Sequence, residues 1–170
     1  MGVAAGAQIS ARIATDVSKT IEAMGTKTIN LDKTAAKQLT QGIAAGQCTL
    51  SCTKQLAISA SGNQSVDLSG ALVDAFGDAA VFTKVKGFII HNVSDVQAVV
   101  SAASGTITGN FITLGFGASS SWLLAAGEWM MGSFSGTGKT VTAATQDVIT
   151  VTNNSGTEIC TMDLIFVGIP

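Results

Sequence analysis

Residues 81–93, VFTKVKGFIIHNV, form the longest stretch that reads as one strand. With a side-chain period of two, Val81, Thr83, Val85, Gly87 and Ile89 share one face, and Phe82, Lys84, Lys86, Phe88 and Ile90 share the other. The second face is polar at first and apolar later. A strand that begins half exposed and ends buried on both sides belongs near the middle of a sheet, so the β-core is expected to be built around it. The approach to this strand is residues 67–77, DLSGALVDAFG. Asp67 is a good cap for one or two helical turns in which Leu68, Leu72 and Phe76 make an apolar edge, before Gly77 and Asp78 end it.

Beyond Gly46 the pattern is one of short strands and turns. Residues 48–54, 55–60, 95–102, 107–116, 121–125, 128–134, 140–143, 147–153 and 159–169 read as strand material, with Ser, Gly, Asn and Asp between them. That spacing predicts a mainly β fold over residues 47–170, a β-sandwich of jelly-roll-like type, with barrel closure as the alternative. Ser-Gly-Thr recurs at 104–106, 135–137 and 155–157. The unequal intervals argue for repeated turn chemistry rather than a true repeat.

Residues 1–46 read as an N-terminal arm. Ile9, Ile13, Val17, Ile21 and Met24 recur at spacings of four, four, four and three, which predicts a helix stopped by Gly25. A second helix is expected from Asp32 through Ala35, Ala36, Leu39 and Ile43 to Gly46. Alanine and threonine dominate both, so neither can build an independent core. Ile9, Ile13, Val17 and Ile21 are therefore candidate interface positions, facing the β-domain or a neighbouring subunit.

Composition narrows the classes of function. Charged residues make up 12% of the chain, aromatics 5%, and tyrosine is absent. A surface so poor in charge favours a chain that spends its life against other chains, including copies of itself. Residues 1–54 carry Arg12 and five lysines against three acids, whereas the remainder carries three lysines against eight acids. The basic residues are scattered and lack interleaved aromatics, so specific nucleic-acid recognition is not expected. The first residues, MGVAAGAQISAR, lack a charged region followed by an unbroken apolar run, and Gly6 stands where a myristoylation motif needs Ser or Thr. No run is long enough to span a bilayer as a helix. A chain made in the cytosol, with no membrane partner, is the expectation.

Several residues carry potential chemistry. Residues 135–140, SGTGKT, resemble the end of a phosphate-binding loop, but Ser133 stands where the first glycine belongs and Thr140-Val141-Thr142 continues as strand rather than helix. A β-turn is the better reading. His91 is the only histidine, and no nucleophile and acid can be assigned to it; a structural histidine at a strand end is favoured. Cys48, Cys52 and Cys160 match no zinc spacing, and a buried free thiol competes with a disulfide to Cys160 or between chains. Asp74, Asp78, Glu128, Asp147 and Asp163 are too far apart in sequence to assign acid and base roles. No catalytic, metal or cofactor site is expected. Trp122 and Trp129, with Leu123, Leu124, Met130 and Met131, form the most apolar local cluster and read as core or interface anchors, or alternatively as a sugar platform.

Residues 67–92, DLSGALVDAFGDAAVFTKVKGFIIHN, resemble small virion proteins of tailed bacteriophages, in which a similar Asp-Leu-x-Gly-x-Leu-x-Asp-Ala-Phe-Gly turn leads into a Val/Phe-rich strand. Residues 163–168, DLIFVG, resemble the apolar strand on which those proteins end. The arm and the three cysteines are not part of the pattern. The resemblance implies a structural component of a phage particle with no catalytic residues to carry over. On that basis the chain is expected in the virion as a head decoration protein, partnered by other copies of itself and by the phage major capsid protein. A tail, neck or fibre-base component, and a carbohydrate- or receptor-binding β-module, are the alternatives.

Overall fold

The computed structural model describes residues 7–21, 25–70, 72–74, 76–102, 121–144 and 147–170. The strand expected over residues 107–116 lies outside them. Among the described residues every regular element is a strand, twelve in all. Among the described residues the chain divides into two units, one of Gln8–Gln38 and one of Ala7 with Leu39–Pro170.

The first unit holds all of β1 (Ala7–Ile21) but its first residue and β2 (Gly25–Gln41) up to Gln38, and the two strands pair with each other. The two expected helices are thus corrected to strands. The physical reason is that a spacing of four is ambiguous: it is close to one helical turn, but it is also two strand repeats. On a helix each such step drifts about 40° around the axis, so three consecutive steps of four fit a strand better than a single helical stripe. The β-branched residues Ile9, Ile13, Thr15, Val17, Thr20, Ile21, Thr26, Thr28 and Ile29 add to that preference. Ile9 is buried. The side chains of Ile13, Val17 and Ile21 lie outside what is described.

The second unit holds two antiparallel sheets and one short parallel pairing. β3 (Gln47–Cys48) runs parallel to the end of β2, with Thr40 opposite Gln47. One sheet has the order β10-β6-β12-β4, comprising β10 (Lys139–Thr140), β6 (Lys84–Asn92), β12 (Cys160–Ile169) and β4 (Leu50–Ile58), with β9 (Trp129–Ser133) also on β6. Both β9 and β10 lie antiparallel to β6, β9 against residues 87–91 and β10 against residues 84–85, so together they act as one interrupted edge strand. The other sheet has the order β5-β11-β7-β8, comprising β5 (Asn63–Asp67), β11 (Val148–Asn153), β7 (Ala98–Ala102) and β8 (Ser121–Leu124). β5 was not foreseen in the sequence.

β6 is interior to its sheet, paired with β12 on one side and with β9 and β10 on the other. Its second face departs from expectation at the start, where Lys86 is fully buried rather than exposed. Its ammonium donates to the carbonyls of Ala44 (3.1 Å) and Gly136 (3.4 Å), which replace water for a charge that could not otherwise be buried.

Both sheets feed one hydrophobic core. Leu56, Ile58, Ile90, Met162, Leu164 and Phe166 enter it from the first sheet, and Val66, Ala98, Leu124, Ile149 and Val151 from the second. Burial in β12 alternates from Cys160 to Phe166, which is why its sequence alternates Cys, Met, Leu, Phe with Thr, Asp, Ile. Phe82 meets the Phe166 ring edge-on at 6.5 Å between centroids. Each such large side chain contributes about 1.5–3 kcal/mol by burial.

The approach segment contains no helix among its described residues. The Asp67 carboxylate accepts from the N–H of Ser69 (2.8 Å), a side-chain turn rather than the start of a helix. The carbonyls that a helix would use are taken elsewhere: Leu68 accepts from the N–H of Phe82 and Leu72 from that of Ala80, both at 2.8 Å. The segment folds back as a ribbon, with Val73 bridged to Ala79.

Candidate functional site

Strand alternation separates the residues that look like one cluster in sequence. Trp122 lies on β8 and Trp129 on β9, strands of different sheets joined by a turn in which Glu128 accepts from the N–H of Ala125 (2.8 Å). Leu124 and Met130 turn into the core, whereas Trp122 (37%), Leu123 (52%) and Trp129 (54%) remain exposed. The tryptophans are surface residues at the edges of the two sheets.

Residues 134–138 form a loop that bulges out between β9 and β10. Gly138 has φ +91°, and a side chain there would meet the Val85 carbonyl oxygen at 2.6 Å and Lys86 Cδ at 2.9 Å. No helix follows, and the Lys139 ammonium sits 5.7 Å over the Phe134 ring. The SGTGKT stretch is therefore a bulge that closes over Lys86, without the helix N-terminus that phosphate binding by such a loop requires.

The three cysteines are buried and none of them is in a disulfide. On the ladder of β12 with β4, Cys160 stands opposite Ile58 while Cys52 stands opposite Phe166, six residues along. That is roughly 20 Å of strand, far beyond disulfide reach. Burial first of all, with the Asp74 carboxylate adding and Lys54 opposing, pushes the Cys52 thiol above the ordinary thiol range, and its Sγ–H donates to the Val73 carbonyl (3.1 Å). The thiol stays neutral when folded at a pH where the unfolded chain ionises. Its stabilising contribution is present below the ordinary thiol pKa of about 8.5 and falls as pH rises through the folded value. Unfolding by urea should show stability declining from pH 8 to pH 10, with a smaller decline in Cys52→Ala. An equal decline in both would remove Cys52 as the cause.

His91 is not part of a hydrolytic arrangement with its sequence neighbour. The Ser94 hydroxyl donates instead to Asn92 Oδ1 (2.6 Å), on the core side of the strand end. Among the described residues no three His, Cys, Asp or Glu side chains gather as metal ligands. Asp147 is buried and serves the fold, accepting from Ser69 Oγ and the N–H of Ala144, both at 2.7 Å.

The pairing register brings together a set that sequence reading missed. On the outer face of the β9/β10-β6-β12-β4 sheet, Trp129 stands opposite His91, His91 opposite Asp163, and Asp163 opposite Gln55. The core-facing neighbours Met130, Ile90, Leu164 and Leu56 fix the parity of all four strands, so the row points away from the core. Gln55 Nε2 donates to Asp163 Oδ1 at 2.8 Å, while His91 and Asp163 are half-buried. The next row, Met131, Ile89, Ile165 and Thr53, is largely apolar. Alternation gave the facing of each residue; nothing local could give a contact across 108 positions. No protein-family model, curated protein or solved structure matches this chain.

Proposed function

We propose that the chain is a structural protein of a tailed-phage particle, a head decoration protein that reinforces contacts between capsid subunits. Its body in this reading is an eight-stranded jelly-roll sandwich. The strand orders support that architecture: with β9 and β10 counted as one strand, the last strand β12 lies between β4 and β6, and β11 lies between β5 and β7. Both are the interleaving of two Greek keys, an architecture used by capsid proteins and lectins alike.

Fold alone does not select between those roles. The observation that carries the structural role is the pairing of β1 with β2, strands of 15 and 17 residues of which Gln8–Gln38 form a separate unit. A two-stranded ribbon is marginal in water, and at roughly 3.3 Å per residue this one extends about 50 Å. Such a ribbon suits a chain that lays its N-terminal part along a neighbour. Many copies then turn weak contacts into a durable lattice. The low charge content and the phage-like stretch at 67–92 agree with this role.

The test is made on particles. Quantitative gel analysis should find hundreds of copies per head, and particles lacking the protein, or carrying it without residues 1–38, should lose resistance to heating. A handful of copies would move the protein to a neck or tail tip; unchanged heat resistance would remove the reinforcing role.

A further inference from the structure

We propose that the outer-face row Trp129, His91, Asp163, Gln55 is a binding site for a neutral oligosaccharide. The site does not depend on the virion reading. The four residues come from four adjacent strands in strict register, so they form a straight track across the sheet. Three inter-strand spacings make the track roughly 14 Å long, about the length of a short oligosaccharide.

Its chemistry runs from apolar to polar along that length. Trp129 is more than half exposed at the open edge, and an exposed indole is the kind of aromatic surface on which the C–H face of a sugar stacks. Asp163 is held in place through Oδ1 by Gln55, and among the described residues its Oδ2, the Gln55 Oε1 and the His91 ring nitrogens have no hydrogen-bond partner. Acceptors and a donor lying beside an aromatic face are what a ring carrying many hydroxyls requires, since each hydroxyl both donates and accepts. The carboxylate disfavours phosphates and other anions by repulsion. A purely apolar partner would leave Asp163, His91 and Gln55 desolvated without partners, which disfavours it equally.

The experiment is titration of the full chain with neutral di-, tri- and tetrasaccharides of glucose, galactose and N-acetylglucosamine, followed by tryptophan fluorescence and calorimetry. At least one series should give saturable binding that tightens with chain length. Trp129→Ala and Asp163→Ala should each weaken it by about tenfold or more. Trp129→Phe, which keeps a ring, should retain most of the affinity and guards against loss through misfolding. Trp122→Ala, on the other sheet, should leave binding unchanged. No saturable binding to any of these sugars overturns the proposal, as does binding that survives Trp129→Ala. A change of oligomeric mass in Trp129→Ala without sugar binding in the wild type would assign the face to a second copy of the chain and likewise overturn it.

Discussion

Asn92→Leu should be among the most destabilising single substitutions in this protein, lowering unfolding free energy by about 3–4 kcal/mol although it removes no apolar contact. Asn92 ends β6 and is fully buried. Its amide nitrogen donates to the carbonyls of Val96 (2.6 Å), Ala125 (3.1 Å) and Leu124 (3.2 Å). Its Oδ1 accepts from the hydroxyl (2.6 Å) and the N–H (3.2 Å) of Ser94. One side chain thus satisfies the loop after β6 and the turn between β8 and β9, both of which have turned their backbone inward. Leucine keeps the branching and heavy-atom count, with bulkier methyl groups, but leaves those groups desolvated, each unmade bond at about 1–3 kcal/mol. In a chain of this size a loss of 3–4 kcal/mol moves the melting temperature by about 10 °C. Asn92→Asp keeps the acceptor and loses the donor, and should be at least as harmful. Asn154→Ala removes an exposed amide contact to Gln97 (2.8 Å) and should change stability by less than about 0.5 kcal/mol. Thermal and urea melts check the set; equal stability of Asn92→Leu and Asn154→Ala would disprove the argument.

How far the sequence could anticipate this structure depends on whether the deciding contacts are local. Strands expected at 121–125, 128–134, 147–153 and 159–169 correspond to β8, β9, β11 and β12 within a residue or two, because alternation and turn residues are read within a short window. The central place of the strand expected at 81–93 was legible for the same reason, although it is observed only over Lys84–Asn92. The N-terminal strands were not, since a single four-residue step is close to one helical turn as well as to two strand repeats, and only the run of such steps, with its accumulating drift, separates the two. The turn after Asp67 was misread because the N–H groups that claim the Leu68 and Leu72 carbonyls belong to Phe82 and Ala80, beyond any helical window. Lys86 looked exposed because its acceptors, Ala44 and Gly136, sit 42 and 50 positions away. The row at Trp129 was not legible for the same cause: Trp129, His91 and Asp163 stand out singly, but only the pairing register aligns them with one another and with Gln55.

Gly168→Ala should be comparably damaging, with a loss of about 3 kcal/mol, by a wholly different route. Nothing in the local sequence marks this glycine, whose φ lies outside the left-handed region. The ladder between β12 and β6 slips between Val167 and Gly168: Val167 pairs with Gly87, but Gly168 pairs with Val85. The slip brings the Gly168 backbone against β6, where a methyl group would run into the Lys84 carbonyl oxygen and approach Phe82 Cδ1 at 2.9 Å. The Lys84 carbonyl belongs to the interior strand, and the ends of the two strands are locked by the N–H of Thr83 donating to Ile169 O (3.0 Å) and its hydroxyl to Pro170 O (2.6 Å). Relief therefore demands a shift of the strand around which the sheet is built. Gly132→Ala tests the reasoning, because its methyl would meet the Phe88 ring, a side chain that can rotate away. It should lose about half as much or less. Gly156→Ala meets only Ser61 Oγ at 3.9 Å and should be neutral or slightly stabilising, since it reduces the freedom of the unfolded chain. The order Gly168, Gly132, Gly156 in denaturant midpoints is the expected result. If Gly168→Ala unfolds at the wild-type midpoint, the close approach at the bulge is not a constraint on this fold.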